Sequence, residues 1–328
     1  MNKPQDIHEL VASLKALSQS MDGKTPTQAQ FIASGVSKRQ VHKHKYSNLC
    51  RMAGLEINKH SQTTDAVEVV IRPPKILIFD IETSYMLVKA YSLKGNDYIA
   101  PRNIVKDWHM LSYAGKFRGD DKFFYLDQRY TQDKSDDRQL TEGLHDLISS
   151  SDVLVGHNLD GFDLKKFNTR AALYNLPPIS PKITHDTLKI LRKFFALSSN
   201  SLDFAAKFLQ LKNRKSSHGK FPGDSLWEEC LKGNLEAWEE CEHYNKQDVL
   251  VTEELFDFLA KYEPAINYQS FYQKQKCVCG GEDFHKDGFK FTRQGRFQVF
   301  RCRAKSCGKT FQSKENLIDE DMRGRFTK

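Results

Sequence analysis

The sequence lacks any apolar run approaching the roughly 18 residues that a membrane-spanning helix requires. Its first residues, MNKPQDIHEL, also lack the apolar stretch of a secretory signal peptide. These absences predict an intracellular, cytoplasmic protein with no membrane partner. Disorder is excluded as well, because 39% of the 328 residues are hydrophobic, which is an ordinary content for a folded protein.

Cysteine is scarce along most of the chain. Cys50, Cys230 and Cys241 stand alone, and the other four form two closely spaced pairs near the C-terminus. These pairs are Cys277 with Cys279 and Cys302 with Cys307. Clustered cysteines in an intracellular protein favour metal binding over disulfide formation.

An excess of acidic residues is missing too, and the formal net charge is +8. The positive charge lies at the two ends: residues 1–65 contain 9 Lys/Arg and 5 Asp/Glu, and residues 273–328 contain 14 and 7. Between these segments, 27 basic residues stand against 30 acidic ones. This distribution fits an enzyme that holds metal ions with carboxylates and attracts a polyanion, although solvated surface charge would give the same totals.

Apolar patterning divides the chain into four parts, which are residues 1–60, 70–265, 273–313 and 314–328. The first part is predicted to be helical and the last to be a polar tail. In the second part strands and helices alternate, which predicts an α/β domain whose mixed five-stranded sheet is flanked by helices. The predicted strands are residues 75–80, 109–117, 122–127, 152–156 and 183–188, and the predicted helices include residues 138–150 and 161–174.

The first part contains the string SGVSKRQV, which resembles the turn and second helix of helix-turn-helix domains. Residues 26–55 as a whole resemble the small repeat that accompanies some phage homing endonucleases. Residues 36–60 contain six Lys/Arg and one acidic residue, a balance that favours phosphate contacts. The predicted nucleic-acid contacts here are Lys38, Arg39, Lys43 and Lys45. A small helical docking domain is the alternative.

Three carboxylate-bearing segments follow one another in the second part: ILIFDIET, GHNLDGFD and YNKQDV. The first places Asp80 and Glu82 at the end of a buried apolar run, where a strand holds two carboxylates side by side. The others carry Asp163 and Asp248. Four carboxylates brought together raise one another's pKa unless divalent cations compensate their charge, and oxygen ligands suit magnesium.

The order of these motifs resembles that of the DEDD (DnaQ-like) superfamily of 3′-to-5′ exonucleases, whose members have a ribonuclease-H-like fold. The resemblance covers residues 74–262. It implies that Asp80, Glu82, Asp163 and Asp248 bind two Mg²⁺ or Mn²⁺ ions and catalyse phosphodiester hydrolysis. A lone D-x-E pair is common on protein surfaces, but three motifs in order are a specific signal.

The superfamily has two branches, which differ in the residue that orients the attacking water. One branch uses a tyrosine four residues before the last aspartate, a position that Tyr244 holds here. The other uses a histidine five residues before it, the position of His243. In a continuous helix Tyr244 is rotated by about 40° from Asp248 and His243 by about 140°. We therefore favour Tyr244, and His243 is the alternative.

Other polar residues of this part have two interpretations each. Asn158 is expected to touch the substrate or to brace the backbone. Asp186, in THDTL, is either an accessory acidic residue or the cap of the following helix. The basic loop of residues 212–220 either holds the nucleic-acid strand or is a solvated turn.

The two cysteine pairs, C-x-C and C-x4-C, are each followed by glycine and predict a zinc ribbon with four thiolates around one Zn²⁺. The string RCRAKSCGKTF resembles the ribbons of transposases. Because C-x2-C is the usual spacing, His285 is an alternative ligand. Residues 273–313 contain ten Lys/Arg against three acidic residues, which suits nucleic acid, with Arg301 and Arg303 as predicted contacts. A purely structural or protein-docking ribbon is the alternative.

Together these features predict a 3′-to-5′ exodeoxyribonuclease that acts on single-stranded DNA with a free 3′ end, in replication, repair or recombination. The flanking modules would bind duplex DNA or replication and recombination proteins. Two alternatives remain: a 3′-to-5′ exoribonuclease, and a non-catalytic, transposase-like or regulatory DNA-binding protein.

Overall fold

A computed structural model describes residues 7–55, 72–90, 92, 99–214 and 219–319, without the side chains of Ala29 and Arg39. The chain divides into two compact units, Met1–Val70 and Ile71–Lys328. The predicted contact of the Arg39 side chain, the middle of the basic loop at residues 215–218 and the polar tail from residue 320 onward lie outside the described residues.

Residues 7–55, the described part of the first unit, form four helices, in agreement with the predicted helical character of this part of the chain. They are α1 (Ile7–Ser20), α2 (Gln28–Ala33), α3 (Lys38–His44) and α4 (Tyr46–Ala53). Leu10, Leu14, Phe31 and Leu49 are fully buried in its core. Thr27 begins α2 with a capping box, in which its side chain accepts from the Gln30 N–H and Gln30 caps the Thr27 N–H in return.

The second unit is built on a five-stranded sheet. Its strands are β1 (Ile76–Thr83), β4 (Met110–Phe117), β5 (Phe123–Asp127), β6 (Val153–Gly156) and β7 (Ile183–Asp186). Their order in the sheet is β5-β4-β1-β6-β7. Strand β1 pairs antiparallel with β4 and parallel with β6, and β7 extends the parallel side. The predicted mixed five-stranded sheet is confirmed.

Helices cover both faces of this sheet. They are α5 (Arg138–Ser149), α6 (Asp163–Leu173), α7 (Thr187–Phe194), α8 (Leu202–Phe208), α9 (Ser225–Leu231) and α10 (Leu235–Leu259). Side chains alternate along β1. Leu77 and Phe79 pack in a cluster with α5 and α6, whereas Ile76 and Ile78 pack in a cluster with α7, α8 and α10. By the same alternation, Asp80 lies on the α10 face.

Some elements differ from the predicted ones. The fifth predicted strand ends at Asp186 rather than at residue 188, because the Asp186 carboxylate accepts from the Leu188 and Lys189 N–H groups and begins α7. Three short elements were not predicted, because no periodic pattern marks them in the sequence. They are the antiparallel strands β2 (Leu87–Val88) and β3 (Ile104–Lys106), and the 3₁₀ turn Pro101–Asn103 that precedes β3.

After the 3₁₀ turn Gln269–Phe271 the chain forms a three-stranded antiparallel sheet of order β10-β9-β8. Its strands are β8 (Phe284–Thr292), β9 (Gly295–Cys302) and β10 (Thr310–Gln312). Within the described residues, no helix has the length and apolar character needed to cross a membrane.

Candidate active site and cysteine cluster

The D-x-E pair lies at the carboxyl end of the central strand β1, as predicted. Both carboxylates accept hydrogen bonds from side chains far away in the sequence. Asn245 Nδ2 donates to Asp80 Oδ2 over 2.7 Å, and Trp227 Nε1 donates to Glu82 Oε2 over 2.9 Å. These bonds hold both carboxylates in one orientation on the face that α10 covers.

Asp163 is the first residue of α6 and follows β6, which runs parallel to β1. The carboxyl ends of parallel strands meet at one edge of a sheet, so Asp163 comes to the end of β1. There its Oδ1 accepts from the Ile81 N–H over 3.2 Å, and only 2% of the residue is exposed. Burial raises the pKa of Asp163 well above its usual value, and the negative charges of Asp80 and Asp186 raise it further.

The third motif lies in the middle of α10, the helix that packs on β1. Tyr244, Asn245 and Asp248 are all buried, whereas His243 is exposed. The Tyr244 ring meets the Trp227 ring edge-on, with 6.2 Å between centroids. The helical spacing thus turns Tyr244 and Asp248 toward the sheet, and His243 points away from it.

The structure adds three residues to the site that sequence reasoning missed: Ser112, Trp227 and Asn245. Asn245 is fully buried, and its Oδ1 accepts from Ser112 Oγ over 3.2 Å. The sequence did contain a signal for Asn245, because it is a polar residue that lies between Tyr244 and Asp248 in the third motif. Trp227 carries no such signal, because 145 residues separate it from the carboxylate that it contacts.

The donor set at this edge of the sheet fits divalent cations. Four carboxylates supply the oxygen ligands that such ions prefer, and the repulsion between Asp80 and buried Asp163 is the cost that a cation would relieve. The carboxylates do not form a compact group: among the described residues, only the four cysteines have ligand atoms that all lie within 4.8 Å of one another.

Asn158 and Asp186 serve the turn that leads into α6. Asn158 is exposed, has a left-handed φ of 67°, and donates its backbone N–H to Asp186 Oδ1 over 3.0 Å. The other oxygen of Asp186 accepts from the Asp160 N–H over 3.3 Å. Asp186 therefore caps α7 and braces this turn, and its role as an accessory acidic residue beside Asp163 stays a prediction.

The C-terminal cysteines come together as the zinc-ribbon prediction requires. Cys277 Sγ lies 3.6 Å from Cys307 Sγ, and Cys279 Sγ lies 3.7 Å from Cys302 Sγ. The short C-x-C spacing is accommodated by Gly280, whose φ of 87° turns the chain after the first pair. Four thiol groups at such separations suit tetrahedral zinc, and His285 lies outside this group.

The predicted nucleic-acid contacts differ in how exposed they are. Lys38, Lys43 and Lys45 are exposed on the first unit. Arg301 is engaged within the ribbon, where it donates to Asp287 Oδ2 over 2.6 Å and to the Gly308 carbonyl over 2.8 Å. Arg303 is exposed and lies 3.8 Å from Asp283.

Residues 110–260 match the family model RNase_H_2, described as RNase_H superfamily. The matched segment includes Asp163 and Asp248 and begins after Asp80 and Glu82. Sequence comparison with curated proteins gives no match.

Among solved structures, the chain is similar to the family B DNA polymerase from the hyperthermophilic archaeon Pyrobaculum calidifontis, with 19% sequence identity and a TM-score of 0.42. The similarity covers 58% of this chain and 26% of the polymerase. The sheet order and the family match together show that the core of this chain is an α/β domain with the ribonuclease-H-like fold, and the match supports a nuclease-type function.

Proposed function

We propose that the protein is a metal-dependent 3′-to-5′ exonuclease that releases nucleotides from the 3′ end of single-stranded DNA. One observation carries the proposal: Asp80 and Glu82 lie at the carboxyl end of β1, the Asp163 carboxylate accepts from the Ile81 N–H between them, and Asp248 is buried on α10, which packs on β1. Without cations this arrangement of carboxylates costs free energy, because burial and the negative charge of Asp80 both oppose ionisation of Asp163.

Each group of this site has a role in the proposed hydrolysis. Asp80, Glu82, Asp163 and Asp248 would hold two Mg²⁺ or Mn²⁺ ions, which when bound neutralise the phosphate and lower the pKa of water. Asn245 and Trp227 orient two of these carboxylates. Tyr244, buried on the same helical face as Asp248, orients the attacking water.

The polarity and the substrate come from the resemblance of the three motifs to the DEDD superfamily. RNA is the closest competing substrate. In this proposal the flanking modules bring the enzyme to its DNA or to replication, repair or recombination proteins, with Lys38, Lys43 and Lys45 as phosphate contacts of the first unit. The cysteine cluster would hold one structural Zn²⁺.

The test is digestion of 5′-labelled single-stranded DNA and RNA with magnesium or manganese. We expect the wild type to produce a descending ladder on DNA, and the double variant Asp80→Ala/Glu82→Ala to produce none. Asp203→Ala, which removes an exposed carboxylate on α8, is the matched control and should cut normally. An intact substrate with the wild type would contradict the proposal.

If wild type and double variant both bind DNA without cutting it, the non-catalytic alternative replaces the enzyme. A second readout separates the two functions. Ions that bind the native site stabilise the folded state, so magnesium should raise the melting temperature of the wild type and leave that of the double variant unchanged.

The choice between Tyr244 and His243 gives a sharper prediction. Tyr244→Phe keeps the ring against Trp227 and removes only the hydroxyl, so we expect cleavage to slow by about 100-fold, the lower end of losses for groups that assist proton transfer. His243→Ala should change the rate little, because His243 is exposed. Single-turnover cleavage rates measure both effects, and a collapse confined to the histidine variant would reverse the assignment.

A further inference from the structure

The hairpin formed by β8 and β9 exposes two phenylalanines on one face. Phe289 is opposite Gln298 and Phe291 is opposite Arg296, so these four side chains share a face of the hairpin. Phe289 is 50% exposed and Phe291 is 70% exposed. Their ring centroids lie 6.5 Å apart, and the Arg296 guanidinium lies 5.4 Å from the Phe289 ring centroid.

The ribbon's own packing does not account for these rings. Phe284 and Phe311, from β8 and β10, pack edge-to-face with centroids 5.6 Å apart and are partly buried. Phe289 and Phe291 instead keep half or more of their surface in water, at the end of the hairpin farther from the cysteines in sequence. Adjacent exposed aromatic rings on a small domain indicate a binding surface.

The charge around these rings indicates what they bind. Residues 284–300 contain four basic residues and one acidic residue, and that acidic residue, Asp287, is bound by Arg301. The basic residues are Lys286, Lys290, Arg293 and Arg296; Arg296 shares the face of the two rings, whereas Lys290 lies on the other face and donates to Gln312 Oε1. In the part of the chain that the structure describes, none of these four forms a salt bridge. The surface therefore suits an anionic partner that also offers flat apolar groups.

We propose that Phe289, Phe291 and Arg296 form a stacking surface for single-stranded nucleic acid. Unpaired bases offer a ring face to each phenylalanine, and the backbone phosphates meet the surrounding cations. In a duplex the faces of the bases are stacked on one another, so a duplex could bind this surface only through its phosphate charges. The inference rests on the proposed function in one respect, since the ligand is the strand that the active site would digest.

This surface adds Arg296 to Arg301 and Arg303 as a proposed contact of the ribbon with its ligand. Arg301 is held between Asp287 and the Gly308 carbonyl, so its guanidinium is used within the ribbon. Arg296, five residues earlier, lies on the face that carries the exposed rings.

The experiment measures binding of the full chain to a 5′-fluorescein-labelled oligothymidine by fluorescence anisotropy, without added divalent ions so that the strand is not cut. Two matched double variants separate stacking from general apolar contact. Phe289→Leu/Phe291→Leu keeps apolar volume and removes the π faces, whereas Phe289→Trp/Phe291→Trp keeps the π faces. Phe208→Leu, at an exposed phenylalanine of α8, is the control.

We expect the leucine variant to bind the oligothymidine more weakly, by about fivefold or more for each ring lost, and the tryptophan variant to retain the wild-type affinity. The Phe208→Leu control should bind as the wild type does. Binding to heparin, a polyanion without bases, should be unchanged in every variant. Equal melting temperatures show that the variants are folded, which is expected because both positions are exposed.

Three results would overturn the inference: unchanged affinity in the leucine variant, an equal loss in the tryptophan variant, or an equal loss for heparin. The first two exclude stacking, and the third shows that the rings affect the binding of any polyanion and not of bases in particular. The ladder assay distinguishes this failure from that of the proposed function. If the wild type gives a normal ladder and the leucine variant binds with unchanged affinity, only the stacking surface is wrong. If the leucine variant binds more weakly and the wild type gives no ladder, only the exonuclease proposal is wrong.

Discussion

Asn245 connects the core of the sheet to the candidate active site through both atoms of its amide. The NH₂ group faces Asp80 and donates to its Oδ2, and Oδ1 accepts from Ser112 Oγ. The carboxylate determines this amide orientation because it can only accept, whereas the Ser112 hydroxyl, which can donate or accept, completes it from β4. At the residue scale, this arrangement makes Asn245 a positioning residue for a proposed metal ligand.

Replacing Asn245 by alanine is expected to weaken metal binding and activity together, by about 10- to 100-fold, the usual loss when a partner of a metal ligand is removed. Calorimetric titration with manganese and the magnesium dependence of cleavage both measure the effect. Asn168→Ala, at an exposed asparagine of α6, is the control. Unchanged manganese affinity in Asn245→Ala would show that Asp80 needs no such support.

His185 gives the second prediction at this scale. It lies on β7, is 7% exposed, and stacks on the Phe256 ring with 5.7 Å between centroids. The pKa of His185 is lowered to about 4, mainly by burial and in part by the positive charge of Lys309, against the opposing negative charges of Glu263 and Asp160. The unfolded chain, with a histidine pKa near 6.5, therefore binds this proton more readily than the folded protein does.

Because the folded pKa is depressed, the stability that neutral His185 contributes is present above pH 6.5 and is lost as the pH falls toward 4. The loss is about 3 kcal/mol over that interval. Urea unfolding at several pH values measures it. His185→Phe keeps a ring against Phe256 and should flatten the slope in this interval. An equal slope in both proteins would assign the effect to other groups.

At the scale of elements, one buried carboxylate joins three of them. Asp137 precedes α5, but its side chain does not cap that helix. It accepts instead from the Met110 N–H of β4 over 2.7 Å, and from Arg170 and the Tyr174 hydroxyl at the end of α6 over 2.5 and 2.6 Å. Asp137 is fully buried, so these bonds hold the start of β4 against both helices.

Asp137→Ala would leave the Arg170 guanidinium, nearly buried, without its counter-charge. We expect a loss of about 3–5 kcal/mol in the free energy of unfolding, as for other broken buried ion pairs. Urea unfolding measures it. Asp203→Ala breaks an exposed pair with Lys207 on α8 and should cost only about 0.3–0.5 kcal/mol. Similar losses in both variants would mean that the buried network contributes little.

A second carboxylate, Asp186, shows why element boundaries were only partly predictable. The apolar run of residues 76–79 and the helical period of Tyr244 and Asp248 are local, and both predictions agree with the structure. The end of β7 is not local, because Asp186 is drawn into capping α7 and bracing the turn at residues 158–160. A carboxylate at a strand end has the same sequence signature in either role.

At the scale of the whole second unit, the cysteine cluster is tied to the helix of the third motif. Lys309 is buried, and its ammonium donates to the Ala260 carbonyl over 2.5 Å and to the Glu263 carbonyl over 2.7 Å, just past the end of α10. Arg118 donates to the Val278 carbonyl and to Asp257 on α10. The ribbon and the core therefore share buried polar contacts.

These contacts predict that the ribbon and the core unfold together in calorimetry. Lys309→Met should lower the melting temperature of that single transition, because each carbonyl left without its donor costs about 1–3 kcal/mol. Removing metal from the cysteine cluster should lower it as well. Lys314→Met, at an exposed lysine after β10, is the control. A separate, unshifted transition for the core would show that the two parts are independent.

The sequence by itself determined which residues could carry the chemistry. The three carboxylate motifs, their order and the two cysteine pairs follow from local patterns, since strand alternation and helical period depend only on neighbours in the chain. Only the tertiary structure decided their partners: Trp227 for Glu82, Asn245 for Asp80, and Asp287 for Arg301. Trp227 and Glu82 are 145 residues apart, and such contacts depend on how the strands are ordered and the helices packed, which no local pattern specifies.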